Sequence, residues 1–172
     1  YDFDVTMLPK KESDYCELDR WALVRVDSFL KKIKQAYDSF EFHVAYHALV
    51  NFCANDLSAL YFDILKDRLY TSEKNSKERR SSQAALYRIG TALASGLAPI
   101  LSFTSEEVWA SLRQKGSVFE SIFPVWESSS EQIEVAERFE KILTLREPIN
   151  KKLEELRAAK TIGHSLEASV EV

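Results

Sequence analysis

Helical periodicity runs through this chain almost without interruption, and that continuity limits its possible folds more than any other feature. Only four glycines (Gly90, Gly96, Gly116, Gly163) and four prolines (Pro9, Pro99, Pro124, Pro148) punctuate 172 residues. A many-stranded sandwich or barrel needs turn residues between its strands, so such folds are excluded. The scattered glycines build neither G-x-G-x-x-G nor G-x-x-x-x-G-K, so the chain has no glycine-rich phosphate loop. Its length suits one domain with a sizeable core, and 45% hydrophobic beside 29% charged residues is a globular balance. No apolar run approaches the ~20 residues of a membrane span and no signal peptide is visible, so no membrane partner is expected. Cys16 and Cys53 make neither a disulfide framework nor a zinc set, which fits a reducing cytoplasm. The chain opens on Tyr1 and closes on an apolar, strand-like run, and reads as a piece of something longer.

Residues 1–17 are extended and polar and read as a connector. From Leu18 the apolar positions Ala22, Val26, Phe29, Ile33, Tyr37 and Phe40 recur at steps of three and four, one stripe of a first helix with Asp19 in its first turn. A second helix is predicted from about Phe42 to Leu69. Its apolar set includes Phe42, Tyr46, Val50, Phe52, Leu57, Tyr61, Ile64 and Leu65, wide enough to imply more than one packing neighbour. After the polar break at 71–78, a third helix runs to Ala98, with Ala92, Ser95 and Gly96 small enough for close helix approach, and Pro99 ends it. Thr104 and Glu107 read as a capping box opening a short helix that Gly116 closes. Residues 116–129 read as an irregular loop on the bundle. A last helix from Ser130 to Lys160 carries Phe139, Ile142, Ile149, Leu153 and Leu156, with a kink or break at Pro148. The alternation after Gly163 predicts a strand without a partner here. The fold class is therefore all-α: an antiparallel bundle of four to five helices over 18–160, with a short C-terminal strand beginning a further region at 161–172. Trp21 and Trp109 fall at core spacings.

Catalytic constellations are weak. His43 and His47 share a helix face, but Val44 stands where a zincin places glutamate, and no third ligand is evident, so half-buried histidines are the favoured reading. No G-x-S-x-G elbow positions a serine nucleophile. Asp56 and Asp63, seven apart, read as solvated or capped carboxylates. Asn51, Asn55 and Asp56 interrupt an apolar helix and are read as a hydrogen-bond network inside the bundle, with base-edge contact as the alternative.

Charge is more informative. The net −4 lies wholly in residues 104–172, whereas 66–88 carry a net +4 through Lys66, Arg68, Lys74, Lys77, Arg79, Arg80 and Arg88. A basic helix–loop–helix corner suits a phosphate backbone, with Tyr70 or Tyr87 offering a stacking face, although a merely solvated corner fits the same pattern.

The string NFCANDLSALYFDILKDRLYT (51–71) resembles the anticodon-binding domain of class I isoleucyl-tRNA synthetases. LDRWAL (18–23), LAPILSFTSEEVW (97–109), SVFESIFP (117–124) and LREPINKKLEELRAAKTIGHSLEA (145–168) resemble further segments of that domain, in family order. The first three strings alone leave valyl- and leucyl-type relatives open, and the last favours the isoleucyl type. Pro148 and His164 depart from the family pattern. The resemblance implies a parent that uses ATP with magnesium to join isoleucine to its tRNA, with zinc in a module beyond Val172. It implies that this segment, lacking H-x-G-H-like and K-M-S-K-S-like strings, has no catalytic residue, cofactor or metal of its own. The implied partners are the tRNA for isoleucine and the catalytic and C-terminal regions of the same chain. Lys66, Arg68, Lys77, Arg79 and Arg80 are the expected backbone-contacting residues. The alternative is a helical docking or protein-interaction module.

Overall fold

The computed structural model describes residues 3–164 and 167–171. Helix α1 (Glu17–Asp38) is the central rod. Its expected stripe is its buried face: Leu18, Ala22, Val26, Phe29 and Ile33 are removed from water, each large apolar side chain contributing about 1.5–3 kcal/mol. Phe40 is the exception, because α1 stops before it. The backbone N–H of Glu41 donates to Ala36 and that of Phe40 to Tyr37, with Phe40 at φ 57°, so the residue leaves the stripe and turns outward.

The second rod is continuous from 42 to 71 but not uniform. It comprises α2 (Phe42–Asn51), a π-helical stretch (Phe52–Phe62) and α3 (Asp63–Thr71). The five-residue step between the buried Phe52 and Leu57 matches i→i+5 winding and carries Leu60, Tyr61 and Leu65 onto the core. Phe52 stacks on Phe29 of α1 at 4.7 Å between ring centroids. The expectation of several packing neighbours fails for α2, whose main partner is α1: Ala45 and Ala48 are buried, while Phe42, Tyr46 and Val50 face water.

Helix α4 (Lys77–Leu97) returns antiparallel, opened by Ser76, whose hydroxyl accepts from the Arg79 N–H. The small residues do what their size predicts. A Cβ at Gly96 would lie 3.0 Å from Leu30 and 3.2 Å from Ile33, and the Tyr37 hydroxyl donates to the Gly96 carbonyl. Helix α5 (Ser102–Ser111) begins before the expected capping box, at Leu101, with no side-chain cap. The Ser105 N–H is already bonded to Leu101, so Thr104 lies within the helix, and Glu106 instead accepts from Ser117 and Val118 across the loop. The helix closes at Leu112 and Arg113, the latter at φ 56°, rather than at Gly116. Among the described residues capping boxes form instead at Ser117 with Glu120 and at Ser129 with Gln132.

Helix α6 (Ser130–Ala158) crosses α1 and runs through Pro148 as one element instead of two. The carbonyl that loses its helical donor there is that of Thr144, on an exposed stretch open to water. Phe139 and Leu143 pack on the core, and Ile142 faces out. Trp21 is buried in the main core, and Trp109 in a smaller one with Ala94, Ala98 and Val118. Residues 3–17 lie on the bundle through 3₁₀ turns rather than extended, anchored by the buried Tyr15. No strand occurs among the described residues: 167–171 have no partner to pair with, and the rest of that expectation falls on Ser165, Leu166 and Val172, outside them. Among the described residues no helix is long and apolar enough to cross a membrane.

Candidate nucleic-acid interface

The basic corner is built where α3 ends and α4 begins, against the first turns of α1. Its base is a buried polar cluster. Asp19, one residue inside the apolar start of α1, has no exposure. Its carboxylate accepts from the Tyr61 hydroxyl at 2.7 Å, from the Ser81 hydroxyl, and from Ser82 at 3.3 Å. Arg68 lies 3.5 Å away as its counter-charge. Burial pushes the Asp19 carboxyl above the usual carboxylate range, while the hydroxyls and Arg68 pull the other way. The Tyr61 hydroxyl is raised well above its ordinary value by burial first and by Asp19 second.

The five expected contact residues separate into two groups. Arg68 turns inward to Asp19. Arg79 donates to the Leu69 carbonyl at 2.7 Å and to Ser72 at 3.4 Å, satisfying the last carbonyls of the α3 end. Arg80 bonds Gln83 and Asn75, bracing the connecting turn. Lys66 and Lys77 are exposed, as is Lys74. Lys66 has a 3.0 Å contact with Asp63, an exposed pair worth at most about 1 kcal/mol and easily exchanged for another anion. Arg88, counted in the basic run, belongs to the bundle: its guanidinium lies 4.7 Å over the Trp126 ring and 5.9 Å over Tyr15.

The two aromatic candidates also diverge. Tyr70 is 83% exposed at the end of α3, beside the lysines in sequence. Tyr87 packs on Phe3, and its hydroxyl accepts from Gln114. The expected internal network at Asn51 and Asn55 is not formed. Both are exposed and bond one another at 2.7 Å, because the helix face they occupy has no neighbour. Asp56 alone fulfils it, receiving two nitrogens of Arg25 at 3.0–3.2 Å. Asp63 answers to Lys66 instead, so the two aspartates serve separate pairs. His43 and His47 face outward from α2, and among the described residues no three His, Cys, Asp or Glu side chains gather as a metal site requires.

Asp19, expected only as a first-turn acid of α1, instead anchors a buried cluster whose hydroxyl partners the sequence pattern does not reveal. The available signals were an acid one and two positions from apolar Leu18 and Trp21 and a Ser81-Ser82 pair on an inward helix face. Chemically, the corner offers exposed ammonium groups and an open phenol ring on a frame fixed from below, which suits a polyanion with accessible bases.

A family model described as the anticodon-binding domain of tRNA ligase matches residues 19–172. The chain is 40% identical to the isoleucine–tRNA ligase of Syntrophomonas wolfei, with 100% of this chain and 19% of that protein covered. It is 42% identical to the isoleucine–tRNA ligase of Geobacter sulfurreducens, covering 99% of the chain and 18% of the relative. It is also 42% identical to that of Caldanaerobacter subterraneus, covering 100% and 19%. The chain thus spans about a fifth of the length of the curated relatives it matches. With an all-α bundle that carries a basic corner, and a match over nearly its whole length, this chain belongs to the family of anticodon-binding domains of tRNA ligases.

Proposed function

We propose that this chain is the tRNA-reading module of an isoleucine–tRNA ligase and holds the anticodon stem-loop of the tRNA for isoleucine. The observation that carries the reading is the alignment of the whole chain with the same segment of isoleucine–tRNA ligases. The basic corner supports it with a division of labour. Lys66, Lys74 and Lys77 meet the phosphate backbone without reading sequence. Tyr70 stacks on an unpaired base of the loop. Arg68, Arg79 and Arg80 hold the corner in shape. Activation of isoleucine with ATP and magnesium, and any zinc, belong to the remainder of the ligase, which works in the cytoplasm.

The test is binding of an anticodon stem-loop to substituted chains. Lys66→Glu and Lys77→Glu weaken binding to every stem-loop alike, because they touch only phosphates. Tyr70→Ala costs about 1–3 kcal/mol and Tyr70→Phe almost nothing, since the ring face does the stacking. Unchanged affinity in the lysine variants and in Tyr70→Ala overturns the assignment.

A further inference from the structure

Between α1 and the second rod lies a groove of about 210 Å³. The stacked rings of Phe29 and Phe52, both buried, make its floor. Arg25 and Asp56 stand at one end, tied to each other at 3.0–3.2 Å, and Glu140 of α6 braces Arg25 at 3.5 Å. Ser28, Lys32 and Asn51 are exposed along the rim. The volume is below the roughly 300 Å³ at which sites for drug-sized ligands begin, so it has room for one flat ring system rather than a whole cofactor.

Three observations point to one kind of occupant. First, α1 carries Lys31, Lys32 and Lys34 in close succession. Asp27 holds Lys31 at 2.9 Å and Asp38 holds Lys34 at 2.6 Å, while Lys32, the one on the groove, has no ion-pair partner among the described residues. A free ammonium at the rim suits a phosphate. Second, the Asn51 side-chain oxygen accepts from Asn55 at 2.7 Å, so the Asn51 amide N–H groups remain to donate. Those donors, with the Ser28 hydroxyl on the facing helix, match the hydrogen-bonding edge of an unpaired base. Third, the groove lies roughly 20 Å from Lys66 along the same rod. Residues 52–65 between them expose a single acid, Asp63, already paired with Lys66, so nothing there repels an RNA strand. We infer that the groove takes one unpaired nucleotide of the bound RNA, its base edge on Asn51 and Ser28 and its phosphate on Lys32, which makes Asn51 a specificity-determining residue. The inference rests on the reading of the chain as a tRNA-binding module, and adds selection of a base to the phosphate grip of the corner.

The test is binding of the 172-residue chain to anticodon stem-loops of an isoleucine tRNA in which each unpaired loop base is replaced in turn. The wild-type chain is expected to lose about tenfold or more in affinity when the base at one loop position is replaced. Asn51→Ala and Asn51→Leu remove that preference, binding the original loop no better than the replaced one. Lys32→Gln weakens every loop alike, and Lys66→Glu weakens every loop while keeping the preference. A preference that survives in both Asn51 variants overturns the pocket. So does a loss in those variants that is equal for every loop, or a wild-type chain indifferent to every loop base. Each of these results leaves the phosphate grip of the corner standing. A wild-type chain that binds no stem-loop overturns the pocket and the RNA reading together. Circular dichroism of each variant confirms the helical fold, which the exposure of Lys32, Asn51 and Lys66 leads one to expect.

Discussion

Asp19 shows how much one side chain can settle. Its carboxylate is buried at the meeting point of α1, the π-helical stretch and α4, with Arg68 supplying the positive charge from α3. Replacing it with alanine strands the Tyr61 hydroxyl and Arg68 together and costs about 3–5 kcal/mol, measurable by urea unfolding. The pH dependence has a definite sign. The folded-state carboxyl is raised above 3.8, so the folded form binds the proton more tightly than the unfolded chain. The associated stability is complete below 3.8 and is lost as pH rises through the folded-state value. The unfolding free energy of the native chain minus that of Asp19→Asn therefore falls as pH is raised from 3.8. A flat or rising difference contradicts the assignment. At this scale the sequence was only partly legible. Apolar residues on a regular stripe announce themselves, but Arg68 and Lys66 look alike until the fold turns one inward and the other out.

Helix ends show the same limit one level up. Among the described residues three helices end with a residue other than glycine in the left-handed region: Phe40, Arg113 and Lys160. Each is followed by a backbone bond spanning five residues, such as Thr161 to Leu156. Sequence reasoning looks for glycine at such positions, so it carried α1 past its end to Phe40 and α5 on to Gly116. Arg113→Gly relieves the strain at an exposed site and raises stability by about 0.5–1 kcal/mol, after the larger entropy of glycine in the unfolded chain is subtracted. Where sterics between elements decide, the sequence spoke clearly. Gly96 was read as a point of close approach, and α1 does lie against it. Gly96→Ala pushes Leu30 and Ile33 out of place and costs about 1 kcal/mol, overpacking outweighing the gain in helix propensity. At this chain length that is a fall of about 2–4 °C in Tm by calorimetry. The π-helical stretch had one trace in the sequence, the five-residue gap from Phe52 to Leu57, which a reading in steps of three and four passes over.

At the scale of the molecule the chain is a helical bundle with a basic corner where α3 meets α4. The all-α class and the order of the helices were legible because period-3.6 patterning runs through nearly every segment. The wide apolar face of α2 suggests several packing neighbours, but Phe42, Tyr46 and Val50 are exposed, because composition cannot tell a buried face from an open one. The net acidity was similarly uninformative, as it averages an acidic C-terminal part with the basic corner. The proposed role of this corner is to grip an RNA backbone through a few exposed cations on a frame of buried and braced side chains. Titration of the chain with the anticodon stem-loop of an isoleucine tRNA, across a series of salt concentrations, tests it most directly. Three lysines meeting phosphates predict binding at low salt that weakens with a log–log slope of about −2 to −3. No binding at low salt, or affinity indifferent to salt, would contradict it.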